Sequence, residues 1–116
     1  MNILRIKRIY ENAEKSDGIR ILVDRLWPRG VSKEAAHLDY WWKDIAPSTD
    51  LREWFGHKAE NFKEFSIKYR QELKSQKEKL LEIKEMLKHH NVTLIYAAKD
   101  PKINHAIVLK SVIEKL

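Results

Sequence analysis

Three short runs rich in branched and aromatic side chains, set apart by stretches of helical period, constrain this chain most. Val92 to Ala97 is apolar except for Thr93, and Ile19 to Val23 is apolar except for Arg20. Such runs read as strands buried on both faces. Asn2 to Tyr10 alternates in part, with Leu4 and Ile6 separated by Arg5, and reads as a half-buried strand. Tyr40 to Ile45 suggests a fourth short strand or extended segment. Between these runs the period changes. Phe62, Phe65, Tyr69 and Leu73 recur at helical spacing, and Leu80, Ile83 and Leu87 continue the stripe. Ser75 and Glu78 have the spacing of a capping box, so two joined helices are expected there, with one continuous helix as the alternative.

Shorter helices complete the pattern. Ser32 to His37 has room for one. Ser48 is an N-cap candidate for another, running to about Phe55 and closed by Gly56. Asp100 and Pro101 suit the N-cap and first position of the last helix, with Ala106, Leu109, Val112, Ile113 and Leu116 on its buried face. Strands separated by helices favour an α/β layer architecture. The expectation is a small single domain over residues 1–116, a mostly parallel sheet of three to four strands flanked by helices. At 116 residues the chain can bury one core, and 43% hydrophobic residues give it the composition to do so.

The absence of cysteine removes disulfides, thiolate zinc sites and cysteine nucleophiles together. Arg5, Lys7 and Arg8 interrupt any signal-like apolar stretch, and Val92 to Ala98 is too short to cross a bilayer. A cytoplasmic protein with no membrane association is expected. The formal charge of +6 would attract phosphates, nucleic acid or acidic partners. Acidic residues are interspersed among the basic ones, so solubility explains the charge equally well.

In open α/β sheets, ligands bind beyond the carboxyl ends of the strands. Two segments leave strands that way. The first is Asp24, Arg25, Leu26, Trp27, Pro28, Arg29, Gly30. Arg25 and Arg29 could grip a phosphate or carboxylate with paired hydrogen bonds, and Trp27 offers a flat face. The plainer reading is a structural corner, in which Asp24 pairs with Arg25 or Arg29 and Trp27 fills the core. The second segment runs from Ala98 to His105 and opens a helix, where free N–H groups favour an anion. Lys99 and Lys102 add positive charge, and His105 suits acid–base work near neutral pH. Its spacing to Leu109 and Val112 favours a packed, hydrogen-bonded ring instead.

Other features say less. Adjacent His89 and His90 lack metal-chelating spacing, His37 suits solvent, and His57 in its turn could reach the same edge. No metal and no cofactor is expected. There is no phosphate loop, dinucleotide fingerprint or nucleophile elbow, and only three glycines with which to build one. Trp41, Trp42 and Trp54 could stack bases, but an aromatic core is their commoner use.

Longer strings carry a resemblance. R-I-Y at Arg8 to Tyr10, L-V-D-R-L-W-P-R-G at Leu22 to Gly30, K-D-I-A-P-S at Lys43 to Ser48 and T-L-I-Y-A-A-K-D-P at Thr93 to Pro101 resemble the YeaO-like bacterial proteins, a family of unknown function. D-G-I-R at Asp17 to Arg20, L-R-E-W-F-G-H at Leu51 to His57 and F-S-I-K-Y-R-Q-E-L at Phe65 to Leu73 extend it over nearly the whole chain. The resemblance implies a small α/β protein and no established activity. Relatives in the wider family look as though they carry Cys-His-Arg where Asn104, His105 and Ala106 stand here, so thiolate chemistry at that place is not available to this chain.

Together these features lead to an expected cleft at the carboxyl edge of the sheet, binding or processing a small anionic ligand, phosphate-bearing ligands included. Asp24 and His105 are the acid–base candidates. Arg25, Trp27, Arg29, Lys43, Ser48, Asp100 and Asn104 are the candidate ligand-binding residues. The alternative is a non-catalytic basic module that binds nucleic acid or a protein partner.

Overall fold

The computed structural model describes residues 2–116. Four strands form one sheet: β1 (Leu4–Arg8), β2 (Ile19–Leu22), β3 (Tyr40–Trp41) and β4 (Val92–Tyr96). Their order is β1-β4-β2-β3, and every pairing is parallel. The expected sheet is therefore present and wholly parallel. β4 lies between β1 and β2 and is buried along its full length, which is why its sequence is an almost unbroken apolar run.

Five α-helices follow: α1 (Lys33–Ala36), α2 (Thr49–Phe55), α3 (Phe62–Leu73), α4 (Lys77–Met86) and α5 (His105–Glu114). The main core unites Ile21, Val23, Leu94 and Tyr96 with Phe55 of α2, Phe65 and Tyr69 of α3, Ile83 of α4 and Leu109 of α5. The opposite face carries a smaller cluster, Ile9, Leu22, Ala36 and Ile95, over which Trp27 and Trp41 pack. Alternate residues of β2 and β4 serve the two clusters, as strand geometry requires.

The second face also holds a buried charge cluster. Asp17 is fully buried and meets Arg20 Nη1 at 2.6 Å and Lys7 Nζ at 3.0 Å. Arg20 donates further to the carbonyls of Ala36 and His37, fixing the end of α1. Gly18 follows Asp17 at φ +65°, and a Cβ there would lie 2.0 Å from the Asn91 carbonyl oxygen. Only glycine lets the turn pass this close to the start of β4.

Three local expectations need correction. α5 starts at His105, with Asn104 as its N-cap, because Asn104 is extended and its Oδ1 accepts from Ile107 N. Asp100 caps a separate turn instead, accepting from the amides of Lys102 and Ile103. α3 and α4 are separate helices as expected, but no capping box joins them. A 3-10 turn, Lys74–Gln76, does so, and Ser75 Oγ donates back to the Glu72 carbonyl. Leu116 lies beyond α5 and is exposed, whereas Val108 is buried in the core. No helix among the described residues is long and apolar enough to cross a membrane.

Candidate functional site

The strand order places β2 and β4 side by side, so the segments that leave their carboxyl ends are neighbours. Between these segments and α2 lies a cavity of about 670 Å³. Asp24, Arg25, Trp27, Arg29, Asp100, Asn104 and His105 all line it. The two loops singled out in the sequence therefore do converge on one cleft.

Asp24 and His105 meet at its floor. Asp24 Oδ2 accepts from Ala97 N at 3.0 Å, and its carbonyl accepts from Trp41 Nε1 at 2.7 Å. These bonds tie β2 to β4 and to the second face. His105 Nε2 lies 2.9 Å from Asp24 Oδ1 and 3.0 Å from the Val23 carbonyl oxygen. Both neighbours are acceptors, so Nε2 carries a proton. That proton is aligned on Val23, which leaves Asp24 Oδ1 buried without an aligned donor despite its closeness to the ring. The two side chains are in close contact, and the histidine is both packed and at the cleft.

Several candidates are already engaged. Arg25 donates to the carbonyls of Pro47 and Ala46, so it braces the entry to α2. Trp27 donates to the Val31 carbonyl and packs edge-on against Trp41, with ring centroids 5.3 Å apart. The two backbone bonds at Asp100, from Lys102 and then Ile103, hold its carboxyl below the usual carboxylate value. Asn104 is 1% exposed, with Oδ1 on Ile107 N and Nδ2 on the Asp100 carbonyl. These residues shape the cleft, and the polar atoms just named are occupied by the chain itself.

Lys43 and Ser48 do not line this cavity. Lys43 Nζ sits 4.1 Å from the centroid of the Trp41 ring. Ser48 caps α2, and both its N–H and its Oγ donate to the Glu72 carboxylate. Ser48 faces a smaller depression, of about 290 Å³, together with Glu72 and Arg25.

Among the groups left free, Arg29, Lys99 and Arg52 are cationic and Asp24 Oδ1 is a carboxylate oxygen. Arg29 is exposed at the rim, and its guanidinium has no partner among the described residues. Only its carbonyl is used, accepting from Tyr10 Oη at 3.0 Å. Lys99 is exposed on the same cavity. Arg52, absent from the sequence-derived candidates, lines the cavity from the last turn of α2. Its Nε is buried and has no hydrogen-bond partner among the described residues. Its position in an ordinary amphipathic helix, among 23 lysines and arginines, gave no local signal. His57 completes this wall at φ 58°, an uncommon conformation for a residue other than glycine.

Residues 3–116 match the family model described as "Inactive DUF488-N3 subclade". The chain belongs to that family. It is similar to the uncharacterized protein YeaO of Escherichia coli K12, 45% identical over 109 residues that make up 94% of each chain. Similarity to the uncharacterized protein Rv3073c of Mycobacterium tuberculosis H37Rv is 40% over 106 residues, 91% of this chain and 89% of the relative. Mb3100c of Mycobacterium bovis matches to the same extent. No solved structure matches. Within this DUF488-N3 member, the long string Leu22 to Gly30 is the segment that builds one wall of the cavity and its rim.

Proposed function

We propose that this DUF488-N3 protein binds a small anionic ligand in the cleft at the carboxyl edge of its sheet. The observation that carries the reading is that two guanidinium-bearing residues on this cavity, Arg29 and Arg52, make no side-chain hydrogen bond or ion pair among the described residues. Guanidinium groups without a partner beside a cavity are free to grip a phosphate or carboxylate with paired hydrogen bonds. Arg29 and Arg52 hold the anion, and Lys99 adds to the field. Asp24 and His105 fix the floor.

Binding without turnover is the form we favour. The family description supports it, and so do the commitments of Asn104 and of His105 Nε2 to the chain itself. A cytoplasmic setting accords with the cysteine-free sequence.

A thermal-shift panel of inorganic phosphate, nucleotides, phosphosugars and carboxylates tests the proposal. At least one anion should raise the melting temperature of the wild type and lose that effect in Arg29→Ala and Arg52→Met. If no anion stabilises the wild type more than these variants, the reading fails.

A further inference from the structure

The cavity is far larger than a simple oxyanion needs. Its volume of about 670 Å³ falls in the range of ~300–1,000 Å³ that encloses whole organic ligands. Its wall carries apolar side chains beside the cations, Pro28, Phe55 and Ile103 among them. At the rim Leu26 is 60% exposed and Tyr10 48% exposed, both on the cavity itself. A scattered surface leucine means little, but apolar groups gathered around a cavity mouth mark a binding surface.

That rim is held in place. Tyr10 Oη donates to the Arg29 carbonyl, and the Arg8 guanidinium lies 4.9 Å from the centroid of the Tyr10 ring. Trp27 Nε1 donates to the Val31 carbonyl four residues on. Leu26 sits between Arg25, bound to the carbonyls of Pro47 and Ala46, and Trp27, so its exposure is built into the loop. An apolar rim fixed in advance binds an apolar body without first losing its own freedom.

Building on the anion-binding reading above, we infer that the ligand is a ring-bearing anion. One charged head meets Arg29 and Arg52, and a flat apolar body lies along Leu26 toward Ile103. A phosphomonoester of an aromatic or heterocyclic group and an aryl carboxylate share this chemistry.

The test is calorimetric titration of the full chain at fixed ionic strength with five probes: inorganic phosphate, phenyl phosphate, a nucleoside monophosphate, phenylacetate and neutral benzyl alcohol. At least one ring-bearing anion should bind ~10-fold or more tighter than inorganic phosphate, as expected for burying one ring. Leu26→Ser should shrink that ratio and leave the affinity for inorganic phosphate unchanged. Since Leu26 is mostly exposed, the variant keeps its fold, and an unaltered melting temperature checks this. Preference for phenyl phosphate or the nucleotide over phenylacetate, or the reverse, supports the inference and identifies the head. Equal affinities for phosphate and every ring-bearing anion overturn it but leave anion binding standing. So does a Leu26→Ser variant with the wild-type ratio. If only benzyl alcohol binds, or no probe binds, both readings fall.

Discussion

Arg52→Met separates a ligand-binding role from a structural one, because the two predict stability changes of opposite sign. Methionine matches the unbranched stem of arginine and has a similar helix propensity, so α2 itself is little affected. The substitution removes a buried donor that has no acceptor among the described residues. Leaving such a group unmet costs ~1–3 kcal/mol. It also removes a positive charge from the last turn of α2, where a cation contributes ~0.3–1 kcal/mol. Arg52 as a whole is half-buried, so the lower part of the first range applies. The difference leaves the empty protein more stable by ~0–0.7 kcal/mol, with a rise in melting temperature of up to ~3 °C. Urea denaturation followed by circular dichroism measures this. Anion affinity should fall in the same variant by ~10-fold or more, the worth of one charge-assisted hydrogen bond. Destabilisation by more than 1 kcal/mol would refute the reasoning, since it would make Arg52 a strut of the fold.

Other outcomes follow from the charge cluster and the caps. Asp17→Ala leaves Lys7 and Arg20 buried without their carboxylate, and should cost ~3–5 kcal/mol, a large share of a typical domain's stability, by urea denaturation. Burial pushes the Asp17 carboxyl up, but the Glu14 amide, Lys7 and Arg20 outweigh it and hold it below its ordinary 3.8. Its contribution is thus present above that value and lost as pH falls through the lower folded value. The wild type should lose stability below about pH 4, and Asp17→Asn should show a flatter acid limb in pH-dependent melting. Asn104→Ala removes the cap of α5 and should cost ~0.5–2 kcal/mol, with Asn104→Asp recovering part of it. Gly18→Ala combines a positive φ with a 2.0 Å approach to Asn91, and should destabilise by ~3 kcal/mol or more, measured by thermal melting.

The elements most legible in the sequence were those whose burial is uniform. β4 is covered on both faces and spells an apolar run, and Phe65, Tyr69 and Leu73 mark the buried stripe of α3 at helical spacing. Ser48 with Gly56 bracketed α2, because cap and left-handed terminus both have local chemical signatures. Where two signals competed, sequence was a weaker guide. Asp100 and Asn104 lie four residues apart and both cap amides, and only the extended backbone at Asn104 decides which one opens the helix. The Asp17 cluster was hidden because Lys7 lies on β1 and Arg20 on β2, and the intervening β4 is what places them on one face. For the cleft, sequence named both loops but not which polar groups remain free. Arg25 resembles Arg29 in the string, yet Arg25 is bound to two carbonyls and Arg29 is not.

We propose that Arg29 and Arg52 hold the anion at the carboxyl edge of the sheet. The most direct measurement is nuclear magnetic resonance of the arginine Nε–H groups and backbone amides while phenyl phosphate is added. Shifted side-chain signals of Arg29 and Arg52 are expected, with amide shifts concentrated in residues 24–30 and 97–105. Shifts confined to the lysine-rich surfaces of α3 and α4, with the Arg52 signal unmoved, would contradict it.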